Sequence, residues 1–205
     1  MPEDKFALLD QPRRPWIDPD EVKRKFLSLS ASVHPDRVHG APDKEKQDAE
    51  RRFSELNSAY NCLRDPKDRL RHLLELERGA KPDDVQRIPA GLIDLSFEVG
   101  GLCKEADAFL RERRAVSSPL LQVQLFERAQ EWANKLNGLQ RDLNARRDEL
   151  LKELQQMDES WRTNSPALEP DFGKRLDRLE EIYRLLGYFG RWLEQLQERV
   201  VQLSL

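Results

Sequence analysis

The sequence predicts an all-α protein, and three observations support this prediction. Apolar residues recur every three or four positions along most of the chain, which is the spacing of one face of a helix. Alternating runs rich in β-branched residues, which mark half-buried strands, are absent. Prolines and glycines gather at a few points and leave long uninterrupted segments between them. We therefore expect helices joined by short turns.

The N-terminal segment predicts one short helix and then a longer helix with a well-marked start. A short element is expected around Lys5–Leu9, and the prolines after it prevent a long helix there. The run Asp18-Pro19-Asp20-Glu21 combines an N-cap, a proline at the first helical position and acidic residues in the first turn. This helix ends near His34-Pro35, because the residue before a proline disfavours the α conformation. Its apolar face carries Val22, Phe26, Leu29 and Val33.

Two further helices complete the N-terminal part. A loop from Pro35 to Pro42 leads to a long helix that we expect Asp43 to cap and that ends before Asp65-Pro66. A shorter helix follows, and Gly79 suits its C-cap because glycine adopts the left-handed conformation readily. The apolar positions of these two helices are Ala49, Phe53, Leu56, Ala59, Tyr60, Leu63, Leu70, Leu73, Leu74 and Leu76.

Helix breakers divide the chain in two. Gly79, Pro82 and Pro89 lie close together, so we expect an N-terminal domain over 1–79, a linker over 80–88 and a C-terminal domain over 89–205. In the C-terminal domain the sequence predicts three helices. Their apolar stripes have coiled-coil spacing and are expected to pack together as an antiparallel three-helix bundle. The first runs from about Pro89 to Arg113, the second starts at Pro119, and 164–170 forms the turn into the third.

The expected core of the bundle follows from the three- and four-residue steps along each helix. The first helix offers Leu92, Val99, Leu102, Ala106 and Phe109. The second offers Leu125, Ala129, Trp132, Leu136, Leu139, Leu143, Leu150, Leu154, Met157 and Trp161, with an interruption at Arg146. The third offers Phe172, Leu176, Leu179, Tyr183, Leu186, Leu193, Leu196, Val200 and Leu203.

Composition excludes several classes of protein. The 205 residues include 35 Lys+Arg and 38 Asp+Glu, and the resulting net charge of −3 argues against a nucleic-acid binder built on positive charge. No run approaches the roughly 18–20 apolar residues of a membrane-spanning helix, so we expect no membrane partner. The first ten residues are charged and lack the features of a secretory signal or a transit peptide. A cytoplasmic location is the default expectation.

The cysteines and histidines are not spaced as metal ligands or catalytic residues usually are. Cys62 and Cys103 are 41 positions apart without a histidine at ligand spacing, so we expect two half-buried thiols and no metal site. His39 and His72 are isolated, and we expect them on the surface or in packing between domains. We find no phosphate-binding loop and no nucleophile with a supporting base, so we expect neither a cofactor nor enzyme activity of its own.

One stretch carries a specific motif. His34-Pro35-Asp36 stands at the end of one helix, and Phe53-x-x-Leu56-Asn57-x-Ala59-Tyr60-x-x-Leu63 and Asp65-Pro66 follow at the next. Alone, the tripeptide reads as a turn with an aspartate cap; in this context the segment resembles a J-domain. The resemblance implies that the tripeptide docks on a DnaK-type chaperone and triggers its ATP hydrolysis. It also implies that Lys23, Arg24 and Lys25 provide the positive surface for that chaperone.

The whole chain resembles the iron–sulfur co-chaperone family of HscB. The resemblance rests on Phe6-Ala-Leu-Leu, the Asp18-Pro-Asp start, the stretch from Arg69 to Leu74 and the acidic helix over 176–200. The J-like part runs directly into a helical domain, whereas general J-proteins usually continue into a Gly/Phe-rich linker. The resemblance implies an HscA-type ATPase chaperone as one partner. It implies an iron–sulfur scaffold protein of the IscU type, held by the C-terminal bundle, as the other.

The scaffold-binding face of that family is an apolar patch on the first bundle helix, where Leu92 and Ile93 match. Ser96 stands where the family usually has an apolar residue, and Gly100-Gly101 replaces charged helix formers. From the residues alone, Ile93 and Phe97 lie on a face beside the core stripe, so they either bind a partner, pack on the J-like domain or widen the core. A different client, or a structural coiled-coil protein with an inactive J-like domain, remains an alternative.

Overall fold

The computed structural model describes residues 3–34, 40, 42–82, 88–116, 118–163 and 171–204. Within these described residues lie seven α-helices, α1 (Lys5–Leu8), α2 (Pro19–Ser32), α3 (Asp43–Arg64), α4 (Pro66–Arg78), α5 (Ile93–Ala115), α6 (Pro119–Thr163) and α7 (Phe172–Ser204), with a 3₁₀ turn at Ala90–Leu92. These ranges contain no strand, and the predicted all-α class is confirmed. In the same ranges, no helix has the length and apolar character needed to cross a membrane.

The helix ends follow from the residues that flank them. The Asp18 side chain accepts a hydrogen bond from the backbone N–H of Asp20 at 2.8 Å, so it caps α2 as the sequence predicts. Asp65 caps α4 in the same way through the N–H of Asp68. Gly79 ends α4 with φ of 73°, the left-handed conformation expected of it. Asp43 differs from the prediction: it is the first residue of α3, and the N-cap position falls on Pro42.

The chain forms two compact units. The first unit contains residues 1–83 and 151–183, and the second contains 84–150 and 184–205, so α6 and α7 each contribute to both. In the first unit α2 and α3 pack against each other, and α1 packs against α3. Its fully buried side chains include Phe6, Leu9, Ile17, Val22, Leu63, Leu70, Leu73 and Leu74.

A buried arginine holds the first unit together. The Arg69 Nε donates to the carbonyl oxygen of Pro15 at 3.0 Å, and its Nη1 donates to that of Leu63 at 2.7 Å. Burial lowers the pKa of Arg69 to about 10. Because the guanidinium is still protonated at neutral pH, it serves as a charged donor that joins the N-terminal loop to the end of α3.

Residues of α6 and α7 also contact the N-terminal segment within this unit. The Trp161 indole Nε1 donates to the carbonyl oxygen of Arg13 at 2.9 Å, and Arg14 lies 3.5 Å from Asp158. Arg78, at the end of α4, forms ion pairs with Asp177 and Glu180. The first unit is therefore assembled from segments far apart in sequence.

In the second unit α5 runs antiparallel to α6 and parallel to α7. Glu112 pairs with Arg128, and the Phe109 ring lies against that of Trp132. Asp107 pairs with Arg199 at 2.8 Å, while Arg113 donates to the carbonyl oxygen of Leu203. Three helices that contact one another in this way bury apolar residues on two flanks of each helix.

The predicted apolar stripes are too narrow. Leu95, Cys103 and Leu110 of α5 are buried although the sequence did not single them out, whereas Leu102 is only half-buried. Trp132 and Met157 of α6 are half-buried as well. The reason is that a helix with two neighbours buries more than one line of residues, so the exact stripe depends on helix register. On α7 the additional buried residues are Ile182, Tyr188, Phe189 and Trp192.

Candidate docking sites

The α2–α3 end of the first unit presents His34 to solvent. His34 lies two residues after the end of α2, and its ring meets the edge of the Phe53 ring at a centroid distance of 5.3 Å and an angle of 75°. Phe53 belongs to α3, so this contact sets the imidazole relative to both helices. Pro35 and Asp36, the other two residues of the motif, lie outside the described residues.

The three basic residues of α2 are not equivalent. Lys23 and Arg24 are exposed. Lys25 is half-buried, and its Nζ forms an ion pair with Asp10. This contact lowers the pKa of the Asp10 carboxyl, first through the hydrogen bond and then through the charge of Lys25. The positive surface available to a partner is therefore concentrated on Lys23 and Arg24.

Two features of this end were missed by the sequence analysis. Leu27 is 54% exposed and follows Lys23 by four positions, so it shares the basic face of α2. A cavity of about 210 Å³ lies between α2 and α3, with Leu29, Val33, Arg52 and Leu56 among its lining residues. Helical spacing could have identified Leu27, since it falls outside the stripe formed by Phe26 and Leu29.

The ring stack behind this surface fixes the packing of α2 on α3. The Phe26 and Tyr60 rings are stacked at a centroid distance of 4.4 Å, and the Arg64 guanidinium lies 5.5 Å from the Tyr60 ring centroid. Tyr60 belongs to the J-domain motif of α3, and Phe26 belongs to the predicted apolar face of α2. The exposed polar residues of this site are therefore supported by packed aromatic side chains of α2 and α3.

On α5 the three residues predicted to bind a client differ in exposure. Ile93 is 43% exposed and Phe97 is 76% exposed, so both lie on the surface of the second unit. Leu92 is 5% exposed and lies in the core, where the apolar spacing of α5 also places it, so a direct contact of Leu92 with a client stays a prediction. The 3₁₀ turn that ends at Leu92 directs this residue inward just before α5 begins.

Beyond Phe97, towards the C-terminal end of α5, two glycines leave the exposed face of the helix without bulky side chains. Gly100 and Gly101 are exposed, and a Cβ atom added at either position would meet no other atom within 4 Å. Packing within the chain therefore does not require glycine there. Ser96 is half-buried, between the exposed face and the core.

His72 and the two cysteines are buried, whereas His39 lies outside the described residues. His72 is buried in the first unit, where its Nε2 accepts a hydrogen bond from the backbone N–H of Lys5 at 3.0 Å. Desolvation is the main cause that lowers its pKa. Burial likewise raises the pKa of the Cys62 and Cys103 thiols, which are both free. Within the described ranges no group of three potential ligands could hold a metal ion.

Comparison with known proteins decides the nature of the first unit. The family model of the DnaJ domain matches residues 8–72. The matched segment is a J-domain. It contains α2, α3 and His34 between them, so the J-domain that the sequence predicts is confirmed.

Proteins similar to this chain include several that are named HscB co-chaperones. The chain is 38% identical over 71 residues to the HscB homolog of Paraburkholderia phymatum, covering 35% of this chain and 41% of that protein. It is 31% identical over 97 residues to the HscB homolog of Chromobacterium violaceum, covering 47% of this chain and 55% of that protein. These matches thus span about half the length of the relatives, and they confirm the predicted resemblance.

Solved structures extend the likeness of fold to the whole chain. HscB from Vibrio cholerae superposes with a TM-score of 0.58 at 18% identity, covering 98% of this chain and 99% of that one. Human HscB gives a TM-score of 0.50 at 18% identity, covering 95% of this chain and 81% of that one. At this level of identity the likeness concerns the fold alone.

Proposed function

We propose that this J-domain protein is a co-chaperone that stimulates the ATPase of a DnaK- or HscA-type chaperone and delivers to it an iron–sulfur scaffold protein of the IscU type. The observation that carries the first half is the exposed His34 at the end of α2, held against Phe53 inside the matched DnaJ domain. The names of the relatives support the second half, since each is a co-chaperone of the HscB kind.

In this proposal His34, Pro35 and Asp36 contact the chaperone and α2 guides its approach. Lys23 and Arg24 attract an acidic chaperone surface, which raises the association rate more than the final affinity. Lys25 contributes less, because Asp10 already offsets its charge. The chaperone performs the hydrolysis, and this chain acts by binding its hydrolysis-competent conformation in preference to the resting one.

The scaffold protein is proposed to dock on the exposed face of α5. Phe97 and Ile93 make the direct contacts, and Leu92 supports them from the core. An exposed phenylalanine of this kind serves as an anchor when a partner removes it from water, with a gain of about 2 kcal/mol. The smooth surface at Gly100 and Gly101 also favours a second candidate, in which the same face holds a client of another kind.

The test is single-turnover ATP hydrolysis by an HscA-type chaperone, measured with the wild-type chain and with His34→Gln. We expect stimulation by the wild type and its loss in the variant by a factor of about 10 or more, since each factor of ten corresponds to about 1.4 kcal/mol of lost transition-state stabilisation. Adding the scaffold protein should increase the wild-type stimulation further. Circular dichroism of both proteins controls for folding.

Phe97→Ser separates the two halves of the proposal. It should weaken scaffold binding and abolish the extra stimulation, while the stimulation measured without scaffold stays at the wild-type level. Stimulation that ignores the scaffold would contradict the iron–sulfur assignment and favour another client. Absence of stimulation with every DnaK-type chaperone tested would contradict the co-chaperone role and favour a structural coiled-coil protein.

A further inference from the structure

A cavity of about 290 Å³ lies between the N-terminal segment, α3 and α4. Its inner wall is formed by Cys62 of α3 and His72 of α4, which are 6% and 5% exposed. Lys5 of α1 is half-buried and lines the cavity beside them. The cavity belongs to the first unit, and the proposed function assigns no role to these three residues.

His72 offers this cavity a hydrogen-bond donor. Its Nε2 accepts from the backbone N–H of Lys5 at 3.0 Å, so the neutral ring carries its proton on Nδ1. The residues that the structure describes provide no acceptor for Nδ1, and this nitrogen is not sealed from solvent. The Phe6 ring covers one face of the imidazole at a centroid distance of 5.7 Å, which leaves the ring edge to face the cavity. A donor on so buried a side chain favours an acceptor inside the cavity.

The charge that acts most strongly on the inner wall is positive. Burial is the largest cause of both pKa shifts there, since it raises the pKa of the Cys62 thiol and lowers that of the His72 imidazole. The next cause in both residues is the Lys5 ammonium, which lowers each pKa. Within the described ranges no carboxylate forms an ion pair with this ammonium. An anion in the cavity would therefore meet a positive charge that is not already neutralised.

The rim of the cavity carries charges of both signs. Arg71 and Lys81 are positive, and Arg71 is already paired with Asp68 at 3.3 Å. Glu3 and Glu75 are negative and line the cavity as well. The rim therefore does not select an anion by its charge, and the preference comes from the inner wall. A cation at that depth would be repelled by the ammonium and would leave the imidazole proton without an acceptor.

We propose that this cavity binds a small anion, a carboxylate or a phosphate, through the Nδ1–H of His72 and the ammonium of Lys5. One anionic oxygen accepts the hydrogen bond from the imidazole, and the ammonium balances its charge. The cavity volume of about 290 Å³ equals about ten waters of roughly 30 Å³ each, which suits a ligand of up to about ten non-hydrogen atoms. Since the lining joins α1, α3 and α4, the bound anion also stabilises the packing of these helices.

The test follows the histidine rings of the full chain by NMR at neutral pH, with isotope-labelled histidine. Acetate and inorganic phosphate are the anionic probes, and each replaces chloride at constant ionic strength. Ethylammonium, which replaces sodium, is the cationic comparison. The variant His72→Gln identifies the His72 signals, and the exposed His34 in the same spectra reports any effect of the medium.

Two lysine variants test the role of the charge. Lys5→Met removes the ammonium from the cavity, and Lys44→Met is the matched control, because Lys44 is exposed at the start of α3, about 27 Å of helix before Cys62. We expect the His72 signals of the wild type and of Lys44→Met to shift along a saturating curve with acetate, phosphate or both. Lys5→Met should raise the dissociation constant about tenfold, through the loss of a charged partner. The anion with the lower dissociation constant identifies the ligand as a carboxylate or a phosphate.

Three results would overturn this inference. One is a linear response to both anions that His34 shares, which would be an effect of the medium alone. Another is an equal dissociation constant in the wild type and in Lys5→Met. The third is a saturating shift with ethylammonium as large as that with the anions, which would make the cavity a cation site.

Circular dichroism of each variant controls for folding. If Lys5→Met does not fold, the comparison of the anions with ethylammonium in the wild type still decides the sign of the ligand. Stimulation of the chaperone ATPase by Lys5→Met should remain at the wild-type level, so this inference and the proposed function fail separately.

Discussion

The surface around His34 and the surface around Phe97 are both exposed, but they are built in different ways. His34 lies two residues after the end of α2, where the sequence carries a short motif, and charged residues of α2 lie beside it. Phe97 lies in the second turn of a regular helix, α5, where only its angular position keeps it out of the core. A site at a helix end can therefore be located from a short motif, whereas a site on a helix face depends on register.

The largest expected effect is on stability, and it distinguishes the buried Leu92 from the exposed Phe97 on the same helical segment. Leu92→Ala should lower the free energy of unfolding by about 2–3 kcal/mol, because the residue is buried and its removal leaves a cavity. Phe97→Ala should change it by no more than about 0.5 kcal/mol, since the ring is in solvent. Urea titration followed by circular dichroism measures both. An equal loss of unfolding free energy in the two variants would show that Phe97 is also buried in the core.

A smaller effect is expected from the basic residues of α2. Lys23→Ala with Arg24→Ala should slow association with the chaperone about tenfold at low salt, and the difference should shrink as salt screens the charges. The matched control is Lys25→Ala with Asp10→Asn, which removes both charges of the ion pair, keeps the net charge and should have a weaker effect. Stopped-flow association at two ionic strengths provides the measurement. An equal effect of the two double variants would contradict the division drawn from the ion pair.

The smallest effect concerns pH and His72. The folded state holds this imidazole neutral, with a pKa below its ordinary value, since it is desolvated and accepts from the N–H of Lys5. The unfolded chain therefore binds more protons as the pH falls below the ordinary histidine value of about 6.5. Its contribution to stability is complete above that pH and is lost on acidification.

We expect chemical denaturation to show a fall in stability between about pH 7 and pH 5, and a smaller fall in His72→Gln. His34→Gln, the same substitution at an exposed position, shows whether the change from histidine to glutamine alone affects stability. A pH profile that His72→Gln leaves unaltered would assign the acid sensitivity to other groups.

The sequence was sufficient for the helices and for the motif at the first surface. Asp18, Pro19 and Gly79 determine their helix ends through local backbone chemistry, and all three occupy the predicted positions. Asp43 is one position too late for the predicted N-cap, since α3 already begins at this residue and Pro42 is the N-cap. Local rules succeed where one residue decides between alternatives.

Burial was harder to predict, and the errors share a cause. Leu102 and Cys103 are adjacent on α5, yet the cysteine is buried and the leucine is half-buried. Hydrophobicity alone would rank them the other way, so the decision comes from where α6 and α7 lie around α5. His72 was expected on the surface or between domains, and its burial in the first unit was missed because its partner is the backbone of Lys5, 67 positions away.

The contacts of Trp161 and Arg78 have a consequence for any shortened version of the chain. Trp161 donates to the backbone of Arg13, and Arg78 pairs with Asp177 and Glu180, so residues 151–183 belong to the same compact unit as the J-domain. An expression fragment that stops at residue 83 would include every residue matched by the family model but would leave these partners behind. The first unit is thus discontinuous in the sequence, and a deletion that removes Trp161 would also remove its hydrogen bond to Arg13 near the N-terminus.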